Sequence, residues 1–482
     1  MIQIVDQKGK LRQPDAEDML SPLSDSLNLD HVRAYPIEKY DSVLLIDTFS
    51  DSIAVVDKST MSEIYKKNVN LSSSEIKILS GLFRKNTKKL NDKYQASVSK
   101  VCADSPITYV ICPTYTCNNR CTYCYQQHAE DFKRRTICDE KLNKLLTYIE
   151  QDLRGRRKAD PNKMAVLDLF GGEVFQPRMR QIVERLFEFA RLNKMRISAT
   201  TNAVELNAYF DLFVIYKPYM GRIFTSLDGG KEYHESRRIH VRGPSYQKII
   251  NNVNALLRLK IPVTVSINLD HKNLDQLPLF LEVSSQNNWL NNKLVTLEIG
   301  RVDDRRFETN YEGIMPEAEL LHHLIEYDAQ QGLPSNIKFA FIKSCLYMAE
   351  RFGLSFNQKE LGRIKGHFCW ATSPADSVVY VDPDLDTFRC TYTVGKKAFI
   401  TGNVDSGGPD NSKWFAHNMF TNPECGECSI GGYCSGGCYL SFQKNKAKQC
   451  FEEQANVDYF VKEVVMPRII QQLTGVADDK TA

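Results

Sequence analysis

Fourteen cysteines stand in this chain of 482 residues, and ten of them fall into two tightly spaced groups. That spacing constrains the fold more than any other feature. Cys117, Cys121 and Cys124 follow the pattern C-x3-C-x2-C. Cys425, Cys428, Cys434 and Cys438 follow C-x2-C-x5-C-x3-C, with Cys450 behind them and Cys369 and Cys390 upstream. The N-terminal stretch MIQIVDQKGKLRQ lacks the apolar core of a signal peptide, and no run of eighteen apolar residues offers a membrane span. A cytoplasmic chain is the expectation, and in a reducing compartment such cysteine groups point to metal or catalysis rather than disulfides. Cys102, Cys112, Cys138 and Cys345 read as ordinary buried thiols. The formal net charge of +3, from 62 basic and 59 acidic residues, is too balanced to suggest nucleic acid or an anionic membrane as a partner.

Residues 1–40 are polar and mixed, with no clear period. YDSVLLIDTF and DSIAVVDKS, split by Ser50-Asp51-Ser52, predict a β-hairpin, and SSSEIKILSGLFRKN predicts a helix with a serine-rich start. Residues 1–100 therefore read as a hairpin-plus-helix module. From about 105, short apolar strands alternate with amphipathic helices. Candidate strands are Ile107–Cys112, Ala165–Phe170, Arg196–Thr200, Arg222–Leu227, Val263–Asn268 and Leu294–Ile299, with helices such as Arg180–Leu192 and Gln247–Leu259 between them. The alternation predicts an α/β fold with a parallel sheet or partial barrel over 101–330, its ligands at the C-terminal strand ends. Residues 331–360 read as a helical bridge and 361–455 as a cysteine-rich domain where helical periodicity stops. A closing helix over Val457–Leu473 begins the last segment, 456–482.

Three thiolates as close as Cys117, Cys121 and Cys124 hold three irons of a four-iron cluster and leave the fourth open to a ligand, whereas zinc wants four protein ligands. The segment TCNNRCTYCY, directly after the first candidate strand, resembles the signature of the radical S-adenosylmethionine (SAM) superfamily. The resemblance implies a partial (β/α)6 barrel in which SAM chelates the open iron and is cleaved to a 5′-deoxyadenosyl radical. Tyr123 matches the aromatic before the last cysteine. Gly171-Gly172-Glu173 resembles the motif that holds the SAM amino group, although Val174 replaces the usual proline. Thr200-Thr201-Asn202 resembles the family's TNG turn, with Ala203 in place of glycine. Ser226-Leu227-Asp228-Gly229 with His234 and Arg238 resembles the family's SLDG pattern. That match implies that Ser226 and Asp228 line the ribose side and that Arg238, or Arg237 beside it, pairs with the SAM carboxylate. Asn268 ends the fifth strand, where relatives place a polar SAM contact.

Paired cysteines in the second group resemble a zinc ribbon, but seven do not divide into sets of four. Glycines 426, 431, 432, 436 and 437 let the backbone wrap closely around a bulky cluster. Flanked in this way, C-x2-C-x5-C-x3-C resembles the SPASM domain of radical SAM enzymes that modify peptides and proteins. The resemblance covers about 105–455. It implies two auxiliary 4Fe-4S clusters besides the SAM-binding one, three in all. Cys425, Cys428, Cys434 and Cys450 would ligate one, and Cys369, Cys390 and Cys438 the other. The second set is a ligand short, so one iron is left open or Asp376, His367 or Cys345 fills the gap. VDPDLDTFRC resembles the family's strand pair before the second cysteine, with Leu385 where glycine is usual.

Sulfatase-maturating relatives use an aspartate base directly after the second auxiliary cysteine, and Thr391 stands there instead. The resemblance therefore favours a maturase that forms a thioether, carbon–carbon or similar modification in a ribosomally made precursor peptide. The N-terminal module would grip the leader sequence, and flavodoxin or ferredoxin would donate electrons. A protein-modifying formylglycine-generating enzyme of the sulfatase-maturating type is the alternative. A non-catalytic metal-binding scaffold is a distant third.

Overall fold

The computed structural model describes residues 2–15, 18, 29–65, 73–126, 135–302, 311–340, 345–352 and 368–474. Six parallel strands run in sequence order side by side: Ile107–Ile111, Ala165–Leu169, Arg196–Thr200, Met220–Ser226, Val263–Leu269 and Val295–Arg301. Each lies within two residues of its expected bounds. Their side chains alternate because successive residues of a strand point to opposite faces. Ile107, Leu167, Leu169, Ile197, Ala199, Ile223 and Val265 join one buried core with the covering helices Asp139–Ala159, Arg180–Leu192 and Tyr246–Arg258. Every strand-to-strand step is parallel, so all the C-terminal ends share one rim.

The sheet is larger than the sequence pattern implies. Ile337–Phe339 adds a seventh parallel strand beside Val295–Arg301, which corrects the reading of this region as helical. On the other edge, Val378–Val381 pairs in parallel with Ile107–Ile111, and Asp386–Phe388, Gly402–Asn403 and Gly408–Pro409 follow antiparallel. The cysteine-rich segment thus grows directly out of the sheet, giving eleven strands in one open array. Leu385, in the turn of that strand pair, has φ +68°, the left-handed conformation that glycine adopts without strain.

The expected hairpin is present as Ser42–Asp47 and Ser52–Asp57. Residues 1–40 are not featureless, however. Ile2–Val5, Leu11–Arg12 and Arg33–Ile37 complete a five-stranded antiparallel sheet. These strands are too short to show a period, and Ile2–Val5 pairs with Ser52–Asp57, about fifty residues away. The hairpin turn rests on the cysteine-rich segment: the Gly432 N–H donates to Thr48 Oγ1 at 3.1 Å and the Tyr433 hydroxyl to Asp51 at 2.7 Å. A Cβ on Gly432 would meet the Thr48 carbonyl oxygen at 2.1 Å, so this glycine makes room for the hairpin. Helical structure also resumes earlier than expected. Tyr439–Phe460 is one helix with a break at Asn445, continued by Val461–Val465 and Met466–Leu473, and it carries Cys450. Among the described residues no helix is long and apolar enough to cross a membrane.

Candidate active site

A cleft of about 240 Å³ opens at the C-terminal rim of the parallel strands, lined by Cys117, Cys121 and Cys124. Gly171 and Gly172 border it from the second strand end, Asn202 from the third, Ser226 from the fourth and Asn268 from the fifth. Arg238 reaches it by a route the sequence did not show. The helix Lys231–Arg237 stops one residue short, and Arg238–His240 forms a ribbon with Asn119–Cys121 in which Arg238 pairs with Cys121. The Arg238 Nε is buried without a hydrogen-bond partner among the described residues.

Behind the cleft lies a dense set of buried charges. The Tyr123 hydroxyl donates to Asp228 at 2.6 Å and accepts from Arg238 at 2.7 Å and from the Asn268 amide at 3.3 Å. Asp228 is fully buried, accepts from the Asn268 N–H at 3.1 Å and lies 3.4 Å from the Arg237 guanidinium. It thus braces the site from behind and is not itself a lining residue. Arg237 spans Asp228 and Asp270, the latter at 2.9 Å, and lies over the Tyr123 ring at 4.3 Å. Of the two neighbouring arginines, Arg238 faces the cleft and Arg237 does not. His234 is buried, and its Nδ1 accepts from the Asp228 N–H at 3.1 Å; desolvation, with Arg238 nearby, pushes its pKa down to about 4.

The glycine-glycine-glutamate turn fastens the cysteine loop to the sheet. The Gly172 N–H donates to Thr114 O at 2.9 Å and the Glu173 N–H to Thr116 O at 3.0 Å. A Cβ on Gly172 would lie 2.4 Å from the Thr116 carbonyl oxygen, so only glycine fits. The buried Glu173 carboxylate accepts from Thr201 Oγ1 at 2.7 Å, from the Asn202 N–H at 2.6 Å and from the Phe175 N–H at 2.9 Å. Burial nonetheless pushes its pKa up, against those donors. Asn202 in turn donates to Asn118 at 2.6 Å, which fixes the residue after Cys117. Ala203 has φ +60°, so the position where relatives carry glycine keeps the left-handed turn.

Burial, with Glu173 and the two other thiols adding to it, pushes the Cys117 thiol up to about 12. Cys425, Cys428, Cys434 and Cys450 also share one neighbourhood. Burial raises the thiols of Cys425, to about 11, and of Cys434 and Cys450, each with other members of the set as further causes. Among the described residues, no three His, Cys, Asp or Glu side chains converge on a single metal-ion position. Cys390 begins the turn Thr391–Thr393, where Thr391 Oγ1 bonds the Tyr380 hydroxyl at 2.8 Å. Cys369 is near Arg389, and Cys438 starts the helix Tyr439–Phe460. Of the candidates for the missing ligand, His367 lies outside the described residues. Asp376 is held by Asn411 at 2.9 Å and Arg389 at 3.3 Å. Cys345 is buried against the Asn456 carbonyl with Glu317 and Glu453 nearby, and Glu453 also neighbours Cys434.

The sequence reading passed over Phe170, Tyr125, Tyr392 and Arg301, which also line the cleft. Tyr125 directly follows Cys124, and its ring meets Tyr392 edge-on at 4.9 Å. Adjacency to Cys124 and Cys390 was the available signal.

Residues 111–282 match the family model of the radical SAM superfamily. No curated protein matches the chain. Among solved structures, anSMEcpe with bound AdoMet is 16% identical with a TM-score of 0.54, covering 77% of this chain and 100% of that one. Streptococcus suis SuiB bound to precursor peptide SuiA is 16% identical with a TM-score of 0.52, covering 88% of this chain and 98% of that one. These likenesses are of fold. The chain carries a radical SAM domain and is an enzyme; the cofactors of such a domain are SAM and a 4Fe-4S cluster. The residues present fit both: three thiols on one wall, a buried cation with an unpartnered Nε on another, and amides at the strand ends between them.

Proposed function

We propose that the chain is a radical SAM peptide maturase with three 4Fe-4S clusters. One observation carries the reading: Cys117, Cys121 and Cys124 share a cleft with Asn202, Ser226, Arg238 and Asn268. The three thiolates would hold the SAM-binding cluster, and bound together the two cofactors supply a 5′-deoxyadenosyl radical that abstracts hydrogen from substrate. The chain's own residues do the positioning. Arg238 would offer its guanidinium to the SAM carboxylate, while Tyr123 and Asp228 keep it aimed at the cleft. Asn202, Ser226 and Asn268 supply neutral donors and acceptors around the remaining polar groups. Phe170, Tyr125 and Tyr392 wall the substrate side and exclude water.

Cys425, Cys428, Cys434 and Cys450 would ligate one auxiliary cluster, with Cys369, Cys390 and Cys438 at the other, as in a SPASM domain. That anSMEcpe was solved with Cp18Cys peptide and SuiB with precursor peptide SuiA supports a peptide substrate. The five-stranded N-terminal sheet would take the leader, and flavodoxin or ferredoxin would supply electrons. Thr391, bound to Tyr380 rather than presenting a carboxylate, favours cross-linking over formylglycine formation. Anaerobic reconstitution followed by dithionite and SAM tests the reading: 5′-deoxyadenosine should form. Mass spectrometry of a precursor peptide encoded beside the enzyme and co-expressed with it should show the loss of hydrogens. Tightly bound zinc with negligible iron, and no SAM cleavage, would sink it.

A further inference from the structure

One carboxyl group beneath the cleft plays no part in the site described so far. Along Ala165–Leu169 the side chains of Ala165, Leu167 and Leu169 are fully buried under the helices, and Val166 and Asp168 are half-buried on the opposite face of the sheet. Phe170, two residues beyond Asp168 and on the same face, lines the cleft. Asp168 therefore sits one layer below the rim. Its strand neighbours are Val110 and Ser198, and Tyr380 lies beyond Val110 in the same row.

Asp168 makes no hydrogen bond or ion pair among the described residues, and its Oδ1 is shut off from solvent without a partner. Burial alone pushes its pKa up to about 7. The groups that share this layer are already committed. Ser198 Oγ accepts from the Arg222 N–H at 3.3 Å, and the Arg222 guanidinium donates to Val263 O at 3.0 Å and Thr296 Oγ1 at 2.9 Å. Glu298 accepts from Ser266 at 3.0 Å. The Tyr380 phenol is close enough to feel the Asp168 charge, and it is bonded to Thr391. Among the described residues two further charges stand near this row: Lys338, across from Glu298 and exposed at its end of the row, and Arg389 beside Tyr380, which is held by the Ala371, Val378 and Ser373 carbonyls.

Asp168 is half-buried, and a carboxyl oxygen shut off from water without a partner is costly to keep. It is complementary to a group that brings hydrogen-bond donors and positive charge. We propose that Asp168 receives a basic side chain, lysine or arginine, of the peptide substrate at the floor of the cleft. The inference rests on the peptide-substrate reading given above. Charge decides the class: an acidic side chain would bring two carboxyls together, and an apolar one would leave Asp168 as unpaired as before. An ammonium group beside Asp168 lowers its pKa, so binding near pH 7 drives a proton off.

The test uses the full chain, reconstituted anaerobically with iron and sulfide and saturated with SAM. It is titrated with two probe peptides, acetyl-Gly-Gly-Lys-Gly-Gly-amide and its norleucine counterpart. Calorimetry at pH 7 in two buffers of different ionisation enthalpy counts the protons released. The lysine peptide should bind about tenfold more tightly and release protons, and Asp168→Asn should abolish both differences. Asp168→Ser serves the same purpose if the asparagine variant does not fold. Glu298→Gln should keep the lysine preference, because Glu298 is already engaged by Ser266. Equal or undetectable binding of both peptides to the wild type overturns the proposal, as does a lysine preference that survives at Asp168→Asn or is lost at Glu298→Gln. Release of 5′-deoxyadenosine is measured on the same preparations. Its absence in the wild type would count against the radical SAM reading while leaving the peptide comparison intact.

Discussion

Arg238 lies directly across from Cys121 in the antiparallel ribbon of Asn119–Cys121 and Arg238–His240. The pairing joins the loop that carries the first three thiols to the cation expected to meet the SAM carboxylate. Backbone hydrogen bonds therefore fix the thiol-to-guanidinium geometry before any cofactor arrives. Arg238→Met should leave the iron content unchanged and weaken SAM binding. Loss of one charge-assisted contact is worth about 1.5–3 kcal/mol, roughly ten- to a hundredfold in affinity. Equilibrium binding of SAM beside an iron assay checks the split.

Replacing Cys117, Cys121 and Cys124 together with alanine should abolish 5′-deoxyadenosine formation. The auxiliary cysteines lie elsewhere, so iron should fall from about twelve to about eight atoms per chain. A variant that still releases 5′-deoxyadenosine would refute the assignment.

Glu173→Ala should destabilise the domain by about 3–5 kcal/mol, because it strands buried donors. The carboxylate holds the Phe175 and Asn202 N–H groups and the Thr201 hydroxyl at once. Glu173→Gln should fall between the two, since one amide oxygen replaces two acceptors. Denaturant unfolding of the protein without cofactor reads this directly.

His234 gives a pH dependence with a definite sign. The unfolded chain takes up the imidazole proton near 6.5, and the folded chain only near 4, because burial disfavours the cation. Between those values the unfolded state holds a proton that the native state lacks. Stability should therefore fall as the pH drops through that window, and this group should contribute no slope outside it. The full effect is roughly 3 kcal/mol. Unfolding measured across the window should show a shallower slope for His234→Gln than for the wild type.

Much of this architecture was legible because the six long parallel strands and their helices carry strong periodic patterns. The exceptions have physical causes. Ile2–Val5 is held by pairing with Ser52–Asp57 far along the chain, while Leu11–Arg12 and Ile337–Phe339 are two and three residues long, too short for any period to show. The ribbon that carries Arg238 is three residues long, and its strand partner, Cys121, lies far away in the chain. Ala203 and Leu385 look like departures from a family pattern, yet both keep the left-handed backbone of the glycine they replace. Asp168 gave no signal, since one acid in an apolar strand is unremarkable until its neighbours are known.

Arg237 should act on SAM through Tyr123, although it does not face the cleft. Its guanidinium lies over the Tyr123 ring at 4.3 Å and pairs with Asp228 and Asp270, and Tyr123 carries Arg238 and Asn268 on its hydroxyl. Arg237→Lys keeps the charge but loses the flat stack on the ring. Tyr123→Phe removes the hydroxyl that both cleft residues use. If the two act along one path, Arg237→Lys should weaken SAM binding about tenfold in the wild type and less than about twofold in Tyr123→Phe, a coupling of about 1 kcal/mol. A residue that merely stabilised the fold would give the same factor in both backgrounds. Unfolding curves for the four proteins of the cycle separate that loss of stability from the binding effect, and additive binding energies would remove Arg237 from the path.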